Sequence, residues 1–487
     1  MAEKTEKTPY VKDIPQKDRD LSEWYQAVVY KAELVSLAPV RGCVVLRPYG
    51  FALWERLQAE LDARFKATGH ENAYFPLLIP ESLLTKEAEH VEGFAPEVAW
   101  VTEGGGEKLA ERLAIRPTSE VIIGTMYAEW IQSYRDLPIL INQWVNVMRW
   151  EKRTRPFLRT MEFLWQEGHT AHATETEAAA EVAQMLEVYR EVAETVVGVP
   201  VITGEKSSSE RFAGATHTYS IEALMPDGKA LQAGTSHELG QNFSRAYDIT
   251  FSAEDQTQQY AWTTSWGMSW RMLGAMIMVH GDDRGLRIPP KMAPIEVVIV
   301  PIVRGDSPAV RDAAQALFGA CKTAGLRVKL DDRDGKSPGN KFNEWELRGV
   351  PIRIELGERD LTEGVATLVR RDKAVKSDGQ KTTVKLAEVP GAIPAMLADI
   401  QASLFAQAKA FLDSHVHTAA DRDEFFRLLK ERAGMIAIPW CDQPSCEAAV
   451  KAASSATSRV VHEPAVGPTC LACGEPARVQ AQFAQSY

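Results

Sequence analysis

The chain has 487 residues, and this length predicts about three domains. Hydrophobic residues make up 45% of the chain and charged residues 25%, which excludes a wholly disordered protein. The formal net charge of −11 excludes a bulk polycation, so any nucleic-acid site must be a local basic surface.

The first residues and the apolar runs exclude two further classes of protein. Residues 1–20 carry five basic and five acidic side chains and no apolar core, which excludes a secretory signal and predicts a flexible arm. Apolar runs such as 273–279 and 297–302 are far shorter than the roughly 18 residues that a bilayer span needs. We therefore expect a soluble, cytoplasmic protein with no membrane association.

The patterns over residues 21–290 predict an α+β domain. Leucine and phenylalanine residues at helical spacing indicate a helix over 50–69. Strands rich in β-branched and aromatic residues are predicted over 138–150 and 161–169, and a capping box at Thr174 begins a second long helix. Long antiparallel strands flanked by helices are typical of an α+β fold.

Two smaller domains follow a proline-rich boundary at Pro289 and Pro290. Strand and helix patterns alternate over 294–395, which predicts an α/β domain of the βαβ type. The last region, 398–487, begins with an alanine-rich helix and ends with a cluster of cysteines, and we expect a small α/β domain there.

The cysteines of the last region form two close pairs, Cys441 with Cys446 and Cys470 with Cys473. Four thiolates in two pairs suit tetrahedral zinc in a closed structural site. His462 could replace one of them, and free thiols or disulfides are the alternative, which a cytoplasmic chain disfavours. The sequence therefore predicts structural zinc.

The basic loop between the two predicted strands is a candidate phosphate site. Arg149 and Glu151 share a face at the end of the first strand, because residues two apart in a strand point the same way. An arginine fork could hold two phosphate oxygens at once. The alternative is an edge hairpin with a solvated basic loop. On the returning strand, one face carries Phe163, Trp165, Glu167 and His169.

Three further segments carry polar groups that a ligand could use. Thr118 and Glu120 lie on one side of a short extended segment and suit a small cationic amine, although Thr118 or Ser119 could instead cap a helix. Arg271 follows a glycine at the entry to an apolar helix, where it could grip an anion or pair with a carboxylate. The segment 231–243 gathers Gln232, Gly234, Thr235, Ser236 and His237, of which the histidine could equally be structural.

Together these stretches resemble the motifs of the prolyl-tRNA synthetases. In family order, the matching segments are RPTSE at 116–120, RWE at 149–151, PFLRT at 156–160, FLWQEGH at 163–169, GTSHELGQNF at 234–243 and SWGMSWR at 265–271. Pro48 resembles motif 1 of class II aminoacyl-tRNA synthetases, which is a dimer-interface element. Gly267 and Arg271 resemble motif 3.

The resemblance covers nearly the whole chain and extends to one branch of the family. The four cysteines are similar to the C-terminal zinc domain of eukaryote/archaeal-type members, which also end in tyrosine, as this chain does at Tyr487. Only 106 residues separate Thr160 from Gly267, so we expect no inserted editing domain. A Tyr487 carboxylate that reaches the pocket is a hypothesis, and a frayed tail is the alternative.

The resemblance implies an ATP-dependent ligase with a class II α+β catalytic domain. Such an enzyme condenses L-proline with ATP, accompanied by Mg²⁺, to prolyl-adenylate and then passes the prolyl group to tRNA(Pro). No protein nucleophile is needed, so catalysis consists of positioning and charge stabilisation.

The family motifs also imply roles for individual residues. Arg149, Glu151 and Arg271 are the expected catalytic residues. The nucleotide-contacting positions are Arg149, Glu151, Arg159, Thr160, Gln232, Thr235 and Arg271. The proline pocket is expected to use Thr118, Glu120, Arg149, Trp165, Glu167, His169 and His237.

The second domain resembles the anticodon-binding domain that several class II synthetases share. Lys341, Arg348 and Arg353 are its candidate RNA contacts, with a mixed-charge solvated surface as the alternative. The resemblance also implies a homodimer formed through the Pro48 region.

Two other functions remain open from the sequence. One is a synthetase of the same subclass for threonine, serine, histidine or glycine, and the other is a non-catalytic synthetase-like RNA-binding or regulatory subunit. Amino-acid-dependent pyrophosphate exchange separates all three.

Overall fold

The computed structural model describes residues 14–90, 98–303, 307–462 and 464–487. Residues 1–13 of the expected flexible arm lie outside this set. The remainder of the arm packs on the core: Ile14 is buried, and Lys17 Nζ donates a 2.6 Å hydrogen bond to the carbonyl of Gly281. Residues 14–20 of the expected arm therefore include contacts with the folded core.

Two of the helices begin at, or within two residues of, their predicted starts. The capping box at Thr174 is present, with its hydroxyl accepting from the amide of Glu177, and Pro48 occupies the first position of its helix. In the described chain the helices are α1 (Leu21–Lys31), α2 (Pro48–Ala67), α3 (Glu81–His90), α4 (Glu120–Trp130), α5 (Glu175–Thr195), α6 (Asn242–Tyr247), α7 (Arg271–His280), α8 (Pro308–Thr323), α9 (Pro338–Leu347), α10 (Glu358–Glu363), α11 (Val389–Ser414), α12 (Arg422–Glu431) and α13 (Pro444–Ser454).

The strands mostly have seven residues or fewer, with the three longest at the centre of the molecule. They are β1 (Val35–Leu37), β2 (Val44–Leu46), β3 (Glu71–Asn72), β4 (Leu78–Pro80), β5 (Trp100–Gly104), β6 (Glu107–Ile115), β7 (Ile139–Met148), β8 (Glu162–His172), β9 (Val201–Glu205), β10 (His217–Leu224), β11 (Ala230–Gly240), β12 (Thr250–Ser252), β13 (Gln258–Tyr260), β14 (Trp262–Ser269), β15 (Val297–Ile302), β16 (Val328–Leu330), β17 (Ile352–Gly357), β18 (Val365–Arg370), β19 (Lys381–Lys385), β20 (Val416–Thr418), β21 (Met435–Trp440), β22 (Ala456–His462) and β23 (Val479–Gln485).

One large mixed sheet dominates the fold and confirms the predicted α+β class. Its eleven strands follow the order β20-β21-β23-β22-β9-β10-β11-β14-β8-β7-β3. The central strands from β10 to β7 are all antiparallel neighbours. Helices α2 and α5 cover one face, and their apolar side chains join those of β14 in the largest hydrophobic cluster.

The C-terminal region extends this same sheet. Strands β20 to β23 form its outer part, and β22 meets β9 where Val461 pairs with Glu205. The region predicted as a third domain is therefore joined to the catalytic sheet by backbone pairing.

The middle region has its own five-stranded sheet in the order β16-β15-β17-β18-β19. The first two pairings are parallel, as the predicted βαβ pattern requires, while β18 and β19 add antiparallel strands. Helix α11 starts nine residues before the expected helix at 398 and crosses the predicted boundary without a break.

The segment Leu386–Ser414, which includes α11, is long and apolar enough by composition to cross a membrane. The apolar runs of the sequence predict no segment of this kind. One stripe of residues along α11, at intervals of three or four from Val389 to Leu412, is buried against other parts of the protein, as in an amphipathic helix that covers a core.

Candidate active site

The centre of the large sheet forms the floor of a cavity. Pairing of β8 with β14 and of β14 with β11 puts Glu167, Gly267 and Thr235 in one row. The row two residues further along contains His169, Ser265 and His237. Residues from three strands that are distant in sequence therefore face one space.

Gly267 keeps the middle of this floor open. It lies between Glu167 and Thr235, and a Cβ built at its position would sit 3.7 Å from the ring of Trp165. A larger residue would fill the space between the two neighbouring side chains. The glycine of the motif 3-like segment thus has a steric role in shaping the cavity.

The cavity has a volume of about 250 Å³ and collects most of the predicted site residues. The sequence-predicted residues that line it are Thr118, Glu120, Arg149, Trp165, Glu167, His169, Gln232, Thr235, His237 and Arg271. We call this space the inner cavity.

One side of the inner cavity is acidic. The hydroxyl of Thr118 donates to the carboxylate of Glu120, and both residues are buried. Glu167 accepts hydrogen bonds from Ser119 Oγ at 2.5 Å and from Gln143 Nε2 at 2.7 Å. Two buried carboxylates close to each other create a niche that favours a small cation.

The histidines beside this niche have opposite charge preferences. Burial opposes the charged form of His169, but its hydrogen bond to Glu167 and the charges of Glu120 and Glu167 outweigh burial and raise its pKa above 6.5. Burial also works against ionised Glu167, yet hydrogen bonds from His169, Ser119 and Gln143 hold its pKa below 4.5. Burial, together with the charge of His169, lowers the pKa of His237 to about 3. His237 is therefore neutral, and its Nδ1 lies 3.0 Å from the hydroxyl of Thr218.

Two arginines from distant parts of the chain line the opposite side. Arg149 donates to the carbonyl of Pro117 at 3.1 Å and lies over the rings of Phe163 and Trp165. Burial lowers its pKa from the ordinary value, although nearby carboxylates oppose the shift.

Arg271 is held by backbone carbonyls at the start of α7. Its Nε donates to Leu158 at 3.0 Å and its Nη1 donates to Gln232 at 3.3 Å. Burial, with repulsion from Arg149 and Arg159, lowers the pKa of Arg271 to about 10. A polyanion bound on this side of the cavity would relieve the mutual repulsion of these guanidinium groups, so the arrangement favours polyanion binding.

The structure differs from the sequence prediction at the end of the first hairpin strand. Strand β7 ends at Met148, so Arg149 and Glu151 follow the strand and are not placed by its pleat. Glu151 lines a second cavity, where its carboxylate accepts from Arg159 Nε at 2.7 Å. Thr160 is buried directly after Arg159.

This outer cavity, of about 420 Å³, adjoins the inner one because Arg271 lines both. Tyr487 closes one side, with its ring 5.8 Å from the guanidinium of Arg155 and 4.8 Å from Nζ of Lys229. Its amide donates to Ala230, so the last residue is held against β11. The residues lining the outer cavity are Glu151, Arg153, Thr154, Arg155, Leu158, Arg159, Lys229, Arg271 and Tyr487.

The four predicted metal ligands come together outside these cavities. The sulfurs of Cys441 and Cys473 are 3.6 Å apart and those of Cys446 and Cys470 are 3.9 Å apart. All four lie within 4.8 Å of one another. A tetrahedral zinc with bonds of about 2.3 Å places its sulfurs about 3.8 Å apart, so the cluster has the dimensions of a zinc site.

The three predicted RNA contacts are spread along the middle domain. Lys341 is buried on α9, with Nζ 3.0 Å from the carbonyl of Asp331. Arg348 pairs with Glu33, and Arg353 pairs with Glu355 at 2.8 Å. The structure does not gather them into one pocket among the described residues.

Sequence reasoning missed two residues that orient the acidic niche. Ser119 occupies the N-cap position of α4, but its hydroxyl bonds to Glu167 instead of capping the helix. Gln143 stands opposite Glu167 in the β7–β8 register. The adjacent buried amides Asn142 and Gln143 in a largely apolar strand were the available signal, since a buried amide needs partners.

Comparisons with known proteins agree with this geometry. Family models match residues 100–280 as a class II tRNA synthetase core domain (G, H, P, S and T), 296–396 as an anticodon binding domain, and 422–487 as a prolyl-tRNA synthetase C-terminal domain. A proline--tRNA ligase of Symbiobacterium thermophilum is 55% identical, with 99% of this chain and 100% of that protein covered. The chain belongs to the prolyl-tRNA synthetase family.

Further relatives extend the comparison to solved structures. The proline--tRNA ligase of Rubrobacter xylanophilus is 54% identical over 99% of this chain and 100% of its own length. A crystal structure of prolyl-tRNA synthetase from Cryptosporidium parvum, complexed with halofuginone and AMPPNP, superposes with a TM-score of 0.92 at 37% identity, and covers both chains fully.

Membership of the prolyl-tRNA synthetase family makes the chain an aminoacyl-tRNA synthetase. It attaches proline to tRNA in an ATP-dependent reaction, and neither alternative function is favoured. The full-length match shows that the fold of a complete relative is present, from core to C-terminal domain.

Proposed function

We propose that the inner cavity is where L-proline and ATP react to form prolyl-adenylate. The observation that carries this proposal is the convergence of Arg149 and Arg271 on a cavity whose other side holds Glu120 and Glu167. A polyanion fits one side, and the protonated amine of an amino acid fits the other.

In this proposal, an oxygen of the proline carboxylate attacks the α-phosphorus while the bond to pyrophosphate breaks. Arg149 holds the carboxylate and the α-phosphate in line, and Arg271 stabilises charge on the departing phosphates. Gln232 and Thr235 contact the nucleotide, with Glu151, Arg159 and Thr160 at its far end. The Mg²⁺ that accompanies ATP supplies further charge neutralisation at the phosphate oxygens. The Cryptosporidium parvum relative was solved in complex with AMPPNP, which supports nucleotide binding by this chain.

The acidic niche supplies recognition of the amino acid. Proline's secondary ammonium has two N–H donors, and Thr118 and Glu120 can accept them. Trp165 forms an apolar wall for the ring, while Glu167, His169 and His237 complete the pocket. The prolyl group then passes from the adenylate to the 3′-terminal adenosine of tRNA(Pro), and AMP leaves.

Pyrophosphate exchange tests the first step directly. We expect exchange with proline, little with alanine or cysteine, and none with threonine. Arg149→Ala should abolish exchange, whereas Arg190→Ala, which removes an ion-paired arginine from the exposed side of α5, should leave it unchanged. Exchange that depends on threonine, or none with any amino acid, would contradict the proposal.

We further propose that the cysteine cluster holds structural zinc. The sulfur spacing and the four-cysteine donor set support it. Purified protein should contain about one zinc per chain, and Cys446→Ser should lose it. The matched control is Cys321→Ser, which alters a buried cysteine in another domain. Metal content that is the same in wild type and Cys446→Ser would exclude this site.

We also propose a homodimer through the Pro48 region. The hairpin of β1 and β2 beside Pro48 exposes Leu37, Val40 and Val45, and α2 exposes Phe51. A cluster of exposed apolar side chains is typical of an interface between proteins. Sedimentation should show a dimer that Val45→Glu weakens, and a monomeric wild type would contradict the proposal.

Three finer expectations belong with this function. The enzyme should act in the cytoplasm, and residues 294–395 should recognise the anticodon of tRNA(Pro). Strands and helices of the core occupy the interval between Thr160 and Gly267. We therefore expect tRNA mischarged with alanine to persist, because a pocket for a small apolar ring rejects smaller amino acids by only about 10–200-fold. Efficient release of alanine from that tRNA by the purified enzyme would contradict this.

A further inference from the structure

A buried charge cluster joins the C-terminal region to the catalytic sheet. Glu222 on β10 is 0% exposed, Lys206 is 2% exposed and Arg459 on β22 is 4% exposed. Arg459 donates to both carboxylate oxygens of Glu222, from Nε to Oε2 at 3.1 Å and from Nη2 to Oε1 at 3.0 Å. Lys206 Nζ donates to Glu222 at 2.8 Å and to the Arg459 carbonyl at 3.0 Å.

This cluster holds one carboxylate between two cations away from water. Burial alone would raise the pKa of Glu222, but the charges of Lys206 and Arg459 outweigh burial and keep it lowered. Removal of one partner would leave a buried charge uncompensated, so the position of Glu222 depends on Arg459. The bidentate geometry also fixes its orientation, which a single lysine contact would not do.

Glu222 in turn lies beside a residue that contacts Arg271. The β10–β11 pairing shifts at this point, so that Glu222 pairs with Gln232 while its neighbour Ile221 pairs with Gly234. This irregularity leaves Ala233 as an extra residue of a β-bulge, which is a common device for aiming groups next to an active site. The carbonyl of Gln232 accepts from Arg271 Nη1, and Glu222 also attracts Arg271 electrostatically.

The other end of the cluster touches the cysteine site. Glu447, the residue after Cys446, accepts from the hydroxyl of Ser207 at 2.8 Å and from the amide of Ser458 at 2.9 Å. Ser207 follows Lys206, and Ser458 precedes Arg459. A continuous set of buried contacts therefore runs from the cysteine cluster to the carbonyl that holds Arg271.

We propose that Arg459 is a positioning residue for ATP, acting on Arg271 through Glu222 and Gln232. This inference rests on the proposed role of Arg271 at the distal phosphates. It gives the C-terminal domain a part in nucleotide binding, although none of that domain's described residues before Tyr487 lines either cavity. The acidic side of the proline niche is held by Ser119, Gln143 and His169, whose hydrogen bonds go to Glu167 and not to Glu222 or Arg459.

The test is the split between the KM values for ATP and for proline in pyrophosphate exchange. Arg459→Gln should raise the KM for ATP about tenfold, because a misplaced anion-binding group loses part of its alignment. The KM for proline should not change. Arg459→Lys, which retains the charge without the fork, should show an intermediate KM for ATP.

A matched variant separates positioning from general damage to the C-terminal domain. Arg422→Gln removes another arginine of that domain, whose Nε bonds to the carbonyl of Ala472 and which does not contact Glu222. Its KM for ATP should equal that of wild type. Equal KM values for ATP in folded Arg459→Gln and wild type would overturn the inference. Parallel rises of the KM for ATP and the KM for proline in both Arg459→Gln and Arg422→Gln would also overturn it. Absence of proline-dependent exchange in the wild type would instead refute the proposed function.

Discussion

The cations of the inner cavity and those of the anticodon-binding domain differ in their partners. Arg149 and Arg271 are held by backbone carbonyls, and no salt bridge to either is found among the described residues. In the anticodon-binding domain, Arg348 pairs with Glu33 and Arg353 pairs with Glu355. The first pair of arginines faces an open cavity, whereas the second pair is already neutralised.

This contrast shows how the partners of an arginine in the free protein determine the free energy that it can gain by binding a phosphate. Guanidinium groups without a salt-bridge partner repel each other, and desolvation lowers their pKa, so an incoming phosphate meets cations that no carboxylate has paired. A paired arginine must exchange one partner for another, which returns little free energy. The two regions should therefore respond very differently to the same type of substitution.

Arg271→Ala should have the largest effect. We expect the rate of proline-dependent pyrophosphate exchange to fall about 10²- to 10³-fold, as when one preorganised charge-stabilising donor is removed. Arg353→Ala is the counterpart from the other region and should leave this rate unchanged, since exchange needs no tRNA. Equal losses in both variants would remove the distinction between the two regions.

Glu120→Gln should weaken proline and spare ATP. A hydrogen bond to a charged group contributes about 1.5–3 kcal/mol, so the KM for proline should rise about 10- to 100-fold. Steady-state exchange at varied proline and varied ATP measures both constants. A rise in the KM for ATP alone would place Glu120 on the nucleotide side and break the division of the cavity.

The pair formed by Glu167 and His169 predicts a pH-dependent stability. The raised pKa of His169 gives stability that is complete below pH 6.5 and is lost as the pH rises through the folded-state value. The lowered pKa of Glu167 gives stability that is present above pH 4.5 and is lost as the pH falls through its folded-state value. The pair should therefore stabilise the fold most between these two values.

His169→Gln measures this effect. Wild type should exceed the variant in stability by an amount on the order of 1 kcal/mol between pH 4.5 and 6.5, and the difference should shrink at higher pH. His237→Gln is the control, because His237 has a pKa of about 3 and is neutral in both states above pH 6.5. A His169→Gln difference that stays constant at high pH would show that the two side chains are not charge-coupled.

Arg353→Gln should have the smallest effect. We expect the KM for tRNA(Pro) in aminoacylation to rise about fivefold or less, because Arg353 must give up its largely buried ion pair with Glu355 before it can contact RNA. A tenfold or greater rise that disappears at high salt would show that Glu355 releases Arg353 to RNA phosphates.

Prediction from the sequence succeeded where a local pattern carries the information. The spacing of Leu53, Leu57 and Leu61 predicted helix α2, and the alternation from Phe163 to His169 predicted which side chains of β8 share a face. It failed at Arg149 and Glu151, because the strand ends at Met148 and the following backbone no longer alternates. Helix α11 was predicted nine residues too short, since its first turns carry prolines that read as a boundary.

The sequence by itself determined the class of fold, the family and most of the residue types needed at the site, because spacing within one element depends on local geometry alone. Only the tertiary structure decided which cations remain free and which are neutralised, because their partners lie far away in the chain. It also decided that Arg459 reaches Glu222 across 237 residues of sequence. Long-range contacts such as this one depend on the path of the whole chain and leave no local pattern to read.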